Sequence, residues 1–147
     1  AAESKSLGIR LESLTELLKI CDFVLVHTPA TPETFGLIGS EEFNAMKPSG
    51  YLINTSAAGV VGQDAMIAAL EQHRIAGAAL DVFDGQPLPK SSKLLTLDNV
   101  LLFPHIGGAT EETIHRHSTM VTDDLLAYDQ GKRPTRLVNP EVWENRS

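Results

Sequence analysis

Four short apolar runs, each closing on polar residues, constrain this chain more than any other feature: DFVLVHTP (22–29), YLINTS (51–56), AGAALDVF (76–83) and VLLFPH (100–105). Runs this short and this continuously apolar suit strands of a parallel sheet buried on both faces. Helical patterns separate them. Ser13 can cap a first helix, with Glu16 as its capping-box partner and Leu14, Leu17 and Leu18 as its apolar stripe. ATPETFGLIG (30–39) reads as a turn-rich loop, and Glu41 to Met46 as a short helix stopped by Lys47-Pro48 and Gly50. Gln63 to His73 predicts a helix with Asp64 in its first turn and His73-Arg74 at its end, matching the helix dipole. Glu111 to Asp129 predicts a long amphipathic helix ended by Gly131, with Ile114, Met120, Val121, Leu125 and Leu126 on its inner side. Strands alternating with helices specify an α/β fold built on an open parallel sheet.

The bulk numbers narrow the function classes. The 147 residues amount to one domain, and 42% hydrophobic residues can build a core. No apolar run approaches the ~18 residues of a membrane span. The start, AAESKSLGIR, lacks the apolar segment of a secretory signal. A net charge of -7 disfavours nucleic acid as a partner. The single cysteine, Cys21, excludes an intrachain disulfide framework and cysteine-pair metal sites. It reads as a buried packing residue in a reducing compartment, the cytoplasm. His115 and His117 lie two apart on a helix and face different ways, so no metal is expected there. The triplets at 54–56 and 145–147 match a glycosylation pattern without meaning in a cytosolic chain. Phe23, Phe83 and Phe103 read as core strand positions.

In open parallel sheets, ligands sit at the carboxyl ends of the strands. Those ends carry His27-Thr28, Asn54-Thr55-Ser56, Asp81 and His105. The tips should line one edge, with Asn54 bracing its turn. His105 stands out, because imidazole titrates near neutrality and can both give and take a proton.

The segments FVLVHTPATPETFGLIG, KPSGYLINTSAAGVV, AGAALDVFDGQPLP and NVLLFPHIGGAT, in this order and spacing, resemble the NAD-dependent D-isomer-specific 2-hydroxyacid dehydrogenases, in their phosphoglycerate dehydrogenase-like branch. The tail LVNPEVWE is similar to that family too. The resemblance implies a Rossmann-like doubly wound parallel sheet that here lacks its first two strands. The family's G-x-G-x-x-G turn does not occur; Gly59-Val60-Val61-Gly62 is too short and follows the wrong strand. Residues 1–131 are therefore expected to be part of an NAD-binding domain. Residues 132–147 are expected to be a tail returning to a substrate domain outside this sequence. The strand at 22–27 would then have an open edge.

The resemblance also assigns roles. His105 becomes the acid/base for the substrate hydroxyl. Thr28, Pro29, Thr55, Ser56, Ala57, Asp81, His105, Gly107 and Gly108 become cofactor-facing, with Asp81 accepting from the nicotinamide carboxamide. Two catalytic positions differ from the family pattern. Gln86 stands where the family has the glutamate that orients the histidine, with Asp84 a weaker substitute two residues away. Ala57 stands where the family has an arginine that grips the substrate carboxylate, a contact worth ~1.5–3 kcal/mol. The implied function is hydride transfer between NAD(H), with NADP left open, and a small 2-hydroxy or 2-keto acid. That activity is expected of a longer parent working as a homodimer, with this stretch alone inactive. The alternative is an inactive homologue serving as a nucleotide-binding or interaction module.

Overall fold

In the computed structural model, Gly8 and residues 12–145 are described. The start of the chain and the end of the 145–147 triplet lie outside them. The elements are α1 (Leu14–Ile20), β1 (Phe23–Val26), α2 (Ser40–Ala45), β2 (Tyr51–Asn54), α3 (Gln63–Glu71), β3 (Gly77–Leu80), β4 (Val100–Leu102), α4 (Glu111–Asp129) and α5 (Glu141–Glu144). The chain divides into two compact units, residues 1–105 and 106–147.

The first unit is the α/β fold expected: four parallel strands in the order β1-β2-β3-β4, a partial Rossmann-like sheet with β1 at one edge. Short helices form where local chemistry permits. The Ser13 hydroxyl accepts from the Glu16 N–H at 3.3 Å and starts α1, while the Glu16 carboxylate turns forward to Lys19 at 2.9 Å. At α2 the Glu42 carboxylate reaches back to the Gly39 N–H at 3.0 Å. Gly77 permits the close approach of β3 to its neighbours, since a Cβ there would lie 2.6 Å from the Asn99 carbonyl oxygen. Leu18, Phe43, Leu52, Leu70, Ile75, Leu80 and Leu94 are buried together in one core. Helix α3 stops at Glu71, earlier than its apolar pattern suggests. His73 takes the left-handed conformation, φ 49°, so His73 and Arg74 belong to the turn rather than the last helical turn.

The opposite face of the sheet corrects two expectations. Phe23 is 63% exposed and Phe103 is also exposed; Phe83 is buried, but past the end of β3. Right-handed crossovers running in one direction put successive helices on one side of a sheet. Period-2 alternation then leaves Phe23, Leu25, Tyr51 and Leu101 on the face this unit does not cover. Phe23 and Tyr51 stack on each other there, ring centroids 5.6 Å apart. Cys21 is half-buried against the core rather than fully enclosed.

In the second unit, the Thr110 hydroxyl accepts from the Thr113 N–H at 3.2 Å and caps α4. Gly131, at φ 69°, turns the chain after it. The inner side expected for α4 is not buried: Ile114, Val121, Leu125 and Leu126 are each more than half exposed, and Met120 is half-buried. Apolar periodicity marks a face suited to burial without naming what covers it. Here a short strap does part of that work. Asp124 accepts from the Thr135 N–H at 2.8 Å and from the Arg136 guanidinium at 3.1 Å, and Tyr128 meets Trp143 edge to face.

Two outcomes follow from this architecture. The 147-residue chain should self-associate through its open β1 edge and uncovered sheet face, and Phe23→Glu with Leu25→Lys should shift sedimentation toward monomer. A concentration-independent monomer for the unsubstituted chain would contradict this. The Thr135 N–H holds the Asp124 carboxyl below the usual aspartate range; partial burial opposes it and Arg136 reinforces it. A carboxyl lowered in the folded state stabilises the strap above the ordinary value of ~3.9 and loses that contribution as pH falls through the lowered one. The Thr135 amide resonance should therefore titrate with a midpoint below ~3.9; a midpoint at or above that value would contradict the contact.

Candidate functional site

Register places the site. Val26, Asn54, Leu80 and Leu102 pair in one row across the sheet, so the four strands end side by side. The residues that follow each end share one edge. The link continues past the last pairs: the Asp81 N–H donates to the Asn54 carbonyl at 3.0 Å, and the Phe103 N–H to the Leu80 carbonyl at 2.8 Å.

The tips of β1 and β2 are tied together. The Ser56 hydroxyl donates to the Thr28 carbonyl at 2.7 Å. Asn54, only 2% exposed, closes the turn beneath: its amide donates to the Ala57 carbonyl at 3.1 Å and its side-chain oxygen accepts from the Ser56 N–H at 3.1 Å. The brace expected of Asn54 is thus visible in its bonds. Both of its polar ends are used internally, which leaves Thr55, exposed beside it, as the outward-facing hydroxyl. Ala57 is half-buried, precedes the short 3-10 turn Ala58–Val60, and packs against the core.

Asp81 is a buried carboxylate, 5% exposed, at the end of β3. A buried carboxylate costs free energy unless polar groups meet it. His105 lies three residues beyond β4 in the left-handed conformation, φ 57°. Histidine takes that conformation more readily than most residues, but it still marks a position held by its surroundings. The ring Nδ1 is 2.8 Å from the Gln86 side-chain oxygen. An amide oxygen only accepts, so Nδ1 is the donor in this pair and Nε2 is left for another partner. Gln86, not Asp84, is the group at the ring; the Asp84 N–H is bonded instead to the Gln63 side chain at 2.9 Å. In the second unit, a Cβ added to Gly108 would meet nothing within 4 Å, so nothing in the chain's own packing demands a glycine there.

Two features escaped the sequence reading. The 30–39 loop is ordered by its own threonines: the Thr34 hydroxyl donates to the Pro29 carbonyl at 2.6 Å, and the Thr31 N–H donates to the Thr34 hydroxyl at 2.8 Å. The Thr31 hydroxyl also lowers the Glu33 carboxyl below its usual range. The loop then bridges Ile38 to Val61, next to the β2 tip. The spacing of the two threonines in TPET was the available signal. The second feature is a cleft of about 420 Å³ beside His105 and Gln86, walled by apolar side chains; no local pattern announces it.

The edge gathers polar groups from all four strand tips. It carries the buried Asp81 carboxylate, the exposed Thr55 hydroxyl and the exposed His105 ring. The glycine turn that would cradle the phosphates is not among these residues. Among the described residues, no helix is long and apolar enough to cross a membrane, and no group of three or more His, Cys, Asp or Glu residues could hold a metal ion.

Comparison with known proteins agrees with this fold. Residues 1–107 match the family described as D-isomer specific 2-hydroxyacid dehydrogenase, NAD binding domain. A glyoxylate reductase from Korarchaeum cryptofilum is 45% identical over 142 residues, covering 97% of this chain and 43% of that protein. The crystal structure of the TT0316 protein from Thermus thermophilus superposes with a TM-score of 0.84 at 41% identity, over 88% of this chain and 42% of that one. The NAD-complexed D-isomer specific 2-hydroxyacid dehydrogenase of Lactobacillus delbrueckii ssp. bulgaricus gives 0.83 at 32% identity, over 90% of this chain and 44% of that one. The chain thus spans less than half the length of these relatives. With its parallel sheet, its row of polar tips and its matched residues, it belongs to the NAD-binding domain family of the D-isomer-specific 2-hydroxyacid dehydrogenases.

Proposed function

We propose that the protein carrying this chain is an oxidoreductase that interconverts a small 2-hydroxy acid and its 2-keto acid with NAD, and that His105 is its acid/base. The observation that carries this reading is the His105–Gln86 hydrogen bond at 2.8 Å, which holds the ring by Nδ1 and leaves Nε2 for a substrate oxygen. In this reading residues 1–131 form part of the NAD-binding domain and 132–147 return toward a substrate domain. The protein works as a homodimer in the cytoplasm.

The nicotinamide, when bound, supplies or accepts the hydride. The chain's residues do the rest. Thr28, Pro29, Thr55, Ser56 and Ala57 face the ribose-nicotinamide half, Asp81 holds the carboxamide, and Gly107 and Gly108 let the backbone come close. His105 gives a proton to the substrate oxygen on reduction and removes it on oxidation. Gln86 fixes the ring's tautomer but brings no charge, so it does not favour the imidazolium as a carboxylate would. Ala57 offers no grip on a carboxylate.

Ala57 and Gln86 also support a second reading, a homologue that binds nucleotide and has lost turnover. Two variant sets in the complete protein separate them, read by NADH consumption with pyruvate. His105→Asn should lower turnover by about 10²–10⁴-fold, and Ala57→Arg with Gln86→Glu should raise it by about tenfold or more. Turnover unchanged by His105→Asn would contradict the assigned acid/base.

A further inference from the structure

The apolar cleft next to His105 has no role in proton transfer or cofactor binding as described above. It holds about 420 Å³ and is lined by Phe83, Leu88, Leu95, Leu102 and Phe103, with His105 and Gln86 sharing its wall. Leu95 and Phe103 are 53% and 44% exposed, although both are large and apolar. Exposed apolar groups gathered around a concavity, with a few convergent polar groups, are the usual form of a small-molecule site. Apart from His105 and Gln86 the lining is hydrocarbon, so a carboxylate seated deep in the cleft would lose water without gaining a partner. The larger cavity, about 550 Å³ over Phe23, Tyr51 and Leu101, also reaches Ala76 and Asn99 before β3 and β4, at the opposite strand ends from His105.

We infer that this cleft seats a bulky apolar substituent, aryl or branched alkyl, of the carbonyl substrate whose oxygen faces His105. This rests on the acid/base reading of His105 and adds the substrate class. A two-carbon keto acid has nothing to place in such a cleft. A benzyl group is small beside about 420 Å³, and His105 shares the wall of that cleft with the hydrocarbon. Discrimination by a pocket of this kind is about 10–200-fold per group accommodated.

The test uses the complete protein and two probes, phenylpyruvate and pyruvate. NADH consumption gives kcat/KM for each, and methyl resonances of Leu88, Leu95 and Leu102 report binding without cofactor. The expected result is a kcat/KM at least tenfold higher for phenylpyruvate, with methyl shifts for phenylpyruvate and none for pyruvate. Leu95→Asp, at the exposed rim, should abolish both differences; Leu88→Asn serves the same purpose if that variant misfolds. Equal kcat/KM values with unmoved methyls would overturn the cleft assignment and leave the proposed chemistry standing. Methyl shifts with phenylpyruvate and no NADH consumption with either acid would uphold the cleft and overturn the hydride-transfer reading.

Discussion

A parallel sheet ends all its strands on one side, and the register here ends them in one row. Val26, Asn54, Leu80 and Leu102 are the last members of their strands and each pairs with its neighbour. Everything proposed for this chain depends on that row. It brings residues as far apart in sequence as His27 and His105 to one shared edge. The bonds just beyond it, Ser56 to the Thr28 carbonyl and Asp81 N–H to the Asn54 carbonyl, make the edge a continuous structure rather than four loose loops.

The polar work at this edge is divided. Asn54 spends both ends of its amide inside the turn, so it shapes the edge and offers little to a ligand. Gln86 spends its oxygen on the His105 ring and so orients it. That leaves Thr55 and the second ring nitrogen of His105 to face outward, with the Asp81 carboxylate at the tip between them. Under the proposed function, an amide at position 86 orients the ring without bringing a charge, and an alanine at 57 offers no grip on a carboxylate. The same chain walls its cleft with hydrocarbon. The proposed substrate class rests on that apolar wall rather than on charge.

Much of this was legible in the residues. The four strands stand out because β-branched and aliphatic residues run between turn formers, and their alternation with helices selects a parallel sheet. Asn54, Asp81 and His105 were readable as tips for the same reason. The faces were not legible. Phe23 and Leu25 look like core positions because a strand of a doubly wound sheet is apolar on both sides, whether or not both sides are covered in the chain at hand. The apolar stripe of α4 misled in the same way. The helix end at Glu71 was overrun because His73 is compatible with a helix in composition but sits in a left-handed turn. The cleft beside His105 joins residues from two loops and a strand, which local periodicity does not register.

The most direct test is the distance between the His105 ring and the nicotinamide in a complex of the complete protein with NADH, read as a nuclear Overhauser contact between the imidazole C–H and the nicotinamide C4 hydrogens. The account expects a clear contact, accompanied by one to the Thr55 methyl. Absence of both contacts in a saturated complex would contradict it, because the row of strand tips would then not be where the cofactor's reactive end binds.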